Sequence, residues 1–344
     1  MFGRPPTTTR LRLRPSLSPS LSLLLVLVLC LALFAATAEA SLGDRLPEFR
    51  ECVQVCTREN CDSSDPTPIP FYRRLLLWTC PKECDYTCQH IVTNQRVSAG
   101  QPVTQFHGKW PFVRVLGIQE PFSVLFSLGN LAAHRAGLSQ VRGQIPASYP
   151  LRPYYELFAL MGVWTWVCSA VFHTRDFPLT EQLDYFAAGA GIMYGMYYTP
   201  VRVFRLDRPT PRRRSVLRLW TLTCAALYAA HVAYLKLWRW NYTYNMAANV
   251  VAGLLQNSLW TWFSFQRWRE SRRTWAILPG VAVAWIFSAM SLELLDFPPL
   301  WGALDAHSLW HLGTIGPTIL WYNFLVKDSQ DIVASTAKTK DSKA

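Results

Sequence analysis

Charged residues are scarce in this chain. Only 16% of its 344 residues are Asp, Glu, Lys or Arg, and the acidic ones are the rarer kind, 22 against 34 basic. A soluble domain of this size carries about a quarter charged residues, so an ordinary water-facing globule is excluded. Internal repeats are absent, which removes the solenoid architectures. Paired, interrupted hydrophobic segments are absent too, and with them the usual mark of a secondary transporter. The formal charge of +12 is spread over particular loops, and nothing resembles a soluble nucleic-acid-binding domain. What is plentiful is apolar and aromatic: 51% hydrophobic residues, including 15 Trp. That profile predicts an all-α polytopic membrane protein.

The N-terminus reads as an export signal. Arg4, Arg10, Arg12 and Arg14 precede an apolar run from Leu21 to Ala36. Ala36-Thr37-Ala38 and Ala38-Glu39-Ala40 are small-residue cleavage patterns. Residues 1–40 are therefore expected to be a signal peptide, with an uncleaved anchor as the alternative. The segment that follows, 41–118, would enter the secretory lumen. It holds six of the nine cysteines: Cys52, Cys56, Cys61, Cys80, Cys84 and Cys88. An even count in an oxidising compartment predicts three disulfides of open connectivity. A zinc site on Cys80, Cys84 and Cys88 is the rival. Cys168 and Cys224 fall in apolar spans and read as packing thiols.

Seven spans are expected in 119–326, near 119–135, 155–173, 184–203, 216–238, 244–265, 274–295 and 306–326. Arg135, Arg142 and Arg152 follow the first. Arg202, Arg205, Arg208, Arg212, Arg213 and Arg214 follow the third, and Arg267, Arg269, Arg272 and Arg273 the fifth. The intervening loops are nearly free of Lys and Arg. The positive-inside rule makes the basic loops cytosolic, in agreement with a luminal N-terminus. Residues 327–344 then form a cytosolic tail, read as disordered from about Asp328. Asn241-Tyr242-Thr243 is a glycosylation sequon very close to the bilayer.

On this topology the ionisable residues gather. His307 and His311, four apart, stack on one helical face at the mouth of the last span. His173 ends the second span at the luminal leaflet, with Ser169 one turn deeper, and Asp184 opens the third. Ionisable residues at membrane depth point to function. Three neutral imidazoles with an open fourth position make a catalytic zinc (Zn2+) site, in which the metal acidifies water. Asp184 is the candidate proton carrier and Ser169 a donor to a developing oxyanion. Asp305 reads as a helix cap, with orientation of an imidazole as the alternative. Glu293 and Asp296 read as the polar end of the sixth span, with the same alternative. His231 reads as a satisfied interior histidine, His134 as interfacial, and His107 as a headgroup-level histidine without a partner.

Ser169-x-x-x-His173, Asp184 and His307-x-x-x-His311 on seven spans resemble the pattern of the CREST hydrolases, which include alkaline ceramidases and adiponectin/progestin-type receptors. The chain is more closely similar to the post-GPI-attachment-to-proteins factor three family of GPI phospholipases. The similarity rests on Gln105-Phe-His-Gly-Lys-Trp-Pro-Phe112, Val171-Phe-His-Thr-Arg-Asp176, Leu292-Glu-Leu-Leu-Asp-Phe-Pro-Pro299 and Leu304-Asp-Ala-His-Ser-Leu-Trp-His311, and on the cysteine-rich segment. It covers roughly residues 41–326.

The resemblance implies a zinc-dependent hydrolase of the endoplasmic reticulum membrane, with the Golgi as the alternative. Such an enzyme removes the sn-2 acyl chain from the phosphatidylinositol of GPI-anchored proteins. Its partners would be those proteins and membrane lipid, and no nucleic acid. A ceramide-amide hydrolase, or a non-catalytic receptor or cargo chaperone with a structural metal, are the competing readings.

Overall fold

The structure is a computed structural model that describes residues 41–62 and 68–341. The expected signal peptide lies outside the described residues. Among those residues every regular element is helical, apart from three isolated β-bridges.

Proline sets many of the helix starts. Its missing N–H is no loss in the first turn, and its fixed φ suits a helix. Helices α2 (Pro47–Asn60), α4 (Cys80–Ser98), α5 (Pro121–Gln144), α6 (Arg152–Thr174), α7 (Pro178–Val203), α8 (Pro211–Ala233) and α10 (Leu278–Leu295) all carry Pro at the first or second position. The remaining α-helices are the short α1 (Leu42–Arg45) and α3 (Phe71–Leu75), and the long α9 (Tyr242–Ser271) and α11 (Ala306–Asp341); a π-helix, Tyr234–Trp238, extends α8, and a 3-10 turn, Thr274–Ile277, leads into α10.

The N-terminal unit is a disulfide ladder. Cys52–Cys88, Cys56–Cys84 and Cys61–Cys80 join α2 to the antiparallel α4 at intervals of about one turn. The three bonds consume all six cysteines, so Cys80, Cys84 and Cys88 form no zinc site. Phe49, Cys88, Val92 and Phe106 make a small core beneath the ladder. Cys168 and Cys224 are buried free thiols, as expected.

The seven long helices α5–α11 occupy the stretches expected to span. Helices α5, α6, α7, α9, α10 and α11 pack side by side in that order, and α11 closes back onto α5; α8 rests outside against α7. Among the described residues, three segments are long and apolar enough to cross a membrane by length and composition: Arg152–Thr174, Pro211–Trp238 and Thr274–Glu293. Helix α5 is less apolar for a specific reason. Ser123, Ser127, Asn130 and His134 are all buried and recur at helical spacing, forming a polar stripe that faces α11. His134 is thus interior, not interfacial: its Nδ1 lies 2.8 Å from the Tyr322 hydroxyl. The two helices approach so closely that a Cβ on Gly137 would fall 2.2 Å from the Tyr322 ring.

The expected disordered tail is also corrected. Helix α11 continues to Asp341. Asp328 and Ser329 are fully buried, and Arg202 clasps Asp328 with two hydrogen bonds of 2.6 and 2.5 Å. A polar stretch that looked solvated is held because its charge meets an opposite one inside the bundle.

Candidate metal centre

The site lies where α5, α6 and α11 meet, at the end nearest the disulfide unit. His173 sits on the last turn of α6, and His307 and His311 on the first turns of α11. Asp305 starts α11: its Oδ1 accepts from Ser308 N at 2.9 Å, while Ser308 Oγ accepts from Asp305 N at 3.0 Å. The capping role of Asp305 therefore holds, and it fixes where the two histidines fall. Backbone bonds from Gln119 N to Thr174 O and from Glu120 N to His173 O bind the approach to α5 onto the end of α6, both at 3.0 Å.

The three imidazoles turn their Nε2 atoms toward one another. His307 Nε2 lies 3.4 Å from that of His173 and 3.1 Å from that of His311. The three ligand atoms all lie within 4.8 Å of one another. Behind each ring an acceptor occupies Nδ1. His173 Nδ1 donates to Glu120 Oε2 at 2.7 Å and His307 Nδ1 to Glu293 Oε2 at 2.7 Å. His311 Nδ1 faces Ser127 Oγ at 3.0 Å and the Ser123 carbonyl at 3.3 Å. Carboxylates only accept, so His173 and His307 each carry a proton on Nδ1, which leaves their Nε2 atoms free to serve as ligands.

The donor set fits zinc. A tetrahedral zinc with bonds of about 2.0–2.1 Å holds its nitrogen ligands about 3.3–3.4 Å apart. An acceptor on the far nitrogen of each ligating imidazole is the usual support, since it sets the tautomer and raises ligand basicity.

The other expected residues take different positions. Asp184, on α7, is half-buried, and its carboxylate lies within electrostatic reach of His173 and His307 without a hydrogen bond to either. Ser169 is buried and reaches the triad only through Ser127, its Oγ 3.1 Å from Ser127 Oγ. Glu293 is not merely the polar end of its helix, because it holds His307. Asp296 instead sits at the rim, accepting from Gln105 Nε2 at 3.0 Å and Trp110 Nε1 at 2.9 Å.

His231 is interior, as expected, but its Nε2 lacks a hydrogen-bond partner. His107 does have partners: its Nε2 lies 2.9 Å from Asp85 Oδ2 and its Nδ1 3.3 Å from Asp44 Oδ1. Asn241 caps α9, its Oδ1 accepting from Tyr244 N at 3.0 Å.

Glu120, Ser127 and Lys109 were not singled out in the sequence. Glu120 immediately precedes Pro121, the first residue of α5. An acid placed immediately before a proline at a membrane helix start was the one available signal. Lys109 packs its ammonium 2.5 Å from Glu120 Oε1 and 3.0 Å from Asp176 Oδ2, above the Phe172 ring at 4.1 Å. Burial alone would push this ammonium down; the two carboxylates outweigh that and hold it above the ordinary lysine value.

Comparison with known proteins follows the same lines. The Per1-like family matches residues 70–329. A bovine (Bos taurus) protein named GPI-specific phospholipase A2-like PGAP3 is 41% identical over 312 residues, which cover 89% of this chain and 95% of the relative. The protein of the same name from Homo sapiens is 39% identical over 300 residues, 86% and 91% of the two chains. The Protein PER1 homolog of Schizosaccharomyces pombe is 40% identical over 304 residues, 88% and 91%.

Proposed function

This chain belongs to the Per1-like family, and on that premise we propose that it is a zinc-dependent phospholipase A2 acting on GPI anchors. It would cleave the sn-2 acyl ester of the phosphatidylinositol of a GPI-anchored protein, releasing a fatty acid and leaving a lyso anchor. One observation carries this reading: three imidazole Nε2 atoms converge, each backed by an acceptor on Nδ1. The names of the relatives supply the substrate class. We further read α5–α11 as seven spans, with the disulfide unit in the lumen and the end of α11 in the cytosol. The basic loops support this topology. The membrane is that of the endoplasmic reticulum, with the Golgi as the alternative.

His173, His307 and His311 would hold the zinc, which would supply Lewis acidity toward the ester carbonyl and lower the pKa of water. The chain's own groups do the rest. Asp184 takes a proton from the attacking water and returns it to the departing glycerol oxygen, so that one water is consumed and no proton is left over. Glu120 and Glu293 keep His173 and His307 in the tautomer that presents Nε2. Ser169 as an oxyanion donor requires its hydroxyl to turn away from Ser127; in the observed geometry it supports His311 through that serine.

The test is lipid analysis of GPI anchors from cells lacking this chain, complemented with the wild type or with His307→Ala. The proposal expects unsaturated diacyl anchors to persist in the deletion and in the His307→Ala line, with the variant folded and correctly located. Unchanged anchors in the deletion overturn it. Loss of the His307→Ala protein itself would instead favour a structural metal in a receptor or chaperone.

A further inference from the structure

The turn that carries Lys109 belongs to the N-terminal unit, yet its side chain belongs to the metal centre. Phe106 and Lys109 pair through their backbones, Phe106 N to Lys109 O at 2.7 Å and Lys109 N to Phe106 O at 2.9 Å. Between them His107 and Gly108 adopt φ of +51° and +78°, as a tight two-residue hairpin turn requires. One end of the turn is fixed in the disulfide core, where Phe106 is 1% exposed against Phe49, Cys88 and Val92. Asp44 Oδ1 also accepts from His107 N at 2.8 Å, and Ser41 Oγ from Gly108 N at 2.7 Å. The other end delivers one ammonium to Glu120 Oε1, while Glu120 Oε2 holds His173 Nδ1. An unbroken chain of contacts therefore runs from Cys52–Cys88 through Phe106, Lys109 and Glu120 to His173.

We propose that Lys109 is a positioning residue for the metal centre, acting on His173 through Glu120 and making the disulfide-bonded unit an integral part of the site. The inference rests on the reading of the triad as a metal centre. Glu120 has two oxygens and needs both partners. Without the ammonium at Oε1, a buried carboxylate is free to rotate, and the imidazole it holds loses its fixed direction. Asp176, three residues beyond His173, takes a second bond from the same ammonium and pins the end of α6 from the other side. Removing support behind a ligating histidine lowers metal affinity by about 10–100-fold.

The experiment is a zinc competition titration against a chromogenic chelator, on the full chain in detergent. Lys109→Met is expected to lose about 10–100-fold in zinc affinity, and Lys109→Arg to recover most of it. Trp110→Phe is the control: it removes the bond to Asp296 from the same segment without touching Glu120, and should bind zinc as the wild type does. Lys109→Met combined with Glu120→Gln should bind no more weakly than Glu120→Gln alone, because the two act in series. Should Lys109→Met not fold, Lys109→Gln carries the same comparison.

Wild-type affinity in Lys109→Met beside a loss in Glu120→Gln overturns the inference and leaves the metal centre standing. Equal losses in Trp110→Phe and Lys109→Met also overturn it, since docking and not the ammonium would then matter. A wild-type chain that holds no zinc overturns both readings.

Discussion

Glu293 accepts a hydrogen bond from His307 Nδ1 at 2.7 Å, reaching from the end of α10 to the start of α11. The carboxylate is the polar group of an otherwise apolar helix end, and its partner is a metal-binding candidate. Glu293→Gln keeps the shape and removes the charge. Zinc affinity is expected to fall by about 10–100-fold with the helical content unchanged. Chelator competition and far-ultraviolet circular dichroism check the two halves.

Removing a ligand should act more severely than removing its support. His311→Ala leaves two imidazoles, and bound zinc measured by elemental analysis should fall well below one per chain. Ser127→Ala removes only an acceptor at 3.0 Å and should weaken zinc binding without abolishing it.

Arg202 and Asp328 form a buried, bidentate ion pair between α7 and α11. Removing one partner strands the other charge, so Arg202→Met and Asp328→Asn are each expected to destabilise by about 3–5 kcal/mol. The double variant should recover much of that loss. Thermal unfolding in detergent reads all three. Truncation at 327 should destabilise likewise, because Asp328 lies beyond it.

The Cys52–Cys88 bond closes the ladder beside Phe106. Replacing both cysteines by Ala should cost about 2–5 kcal/mol. Limited proteolysis should then release peptides from α2 before any from α5–α11.

His107 and Asp85 make the seating of the N-terminal turn dependent on pH. The hydrogen bond to Asp85 raises the His107 pKa above its ordinary value, despite partial burial. Burial would raise the Asp85 carboxyl, and the bond and charge of His107 outweigh this and lower it. The histidine's contribution is complete below its unfolded pKa of about 6.5 and is lost as pH rises through the higher folded value. The aspartate's is present above about 3.9 and is lost as pH falls through the lowered value. The turn should therefore exchange its amides most slowly between about pH 4 and 6.5. His107 is half exposed, so the effect is at most about 1 kcal/mol. Amide exchange at Gly108 across pH 5–9 tests this, and His107→Gln should flatten the profile.

The order of the helices was legible because apolar runs and basic loops alternate along the chain in a local code. His173, His307 and His311 were legible as a set because four-residue spacing and common depth are properties of helices alone. Glu293 was misread, and Glu120 passed over, for the converse reason. A carboxylate at a helix end looks the same in sequence whether it meets water or an imidazole. The α11 extension past Lys327 was missed because its polar residues are matched by Arg202 and Arg267 on other helices and by Arg273 in the link after α9.

From residue order alone come the cysteine-rich unit, the positions of seven long helices, and a histidine triad with Asp184 beside it. These depend on local periodicity and on which residue types each compartment tolerates. Tertiary packing alone decides which cysteines pair, which acids stand behind the imidazoles, and that a lysine of the N-terminal unit reaches into the centre. Those relations join residues far apart in the chain, and whether such groups touch depends on how the helices close into a ring.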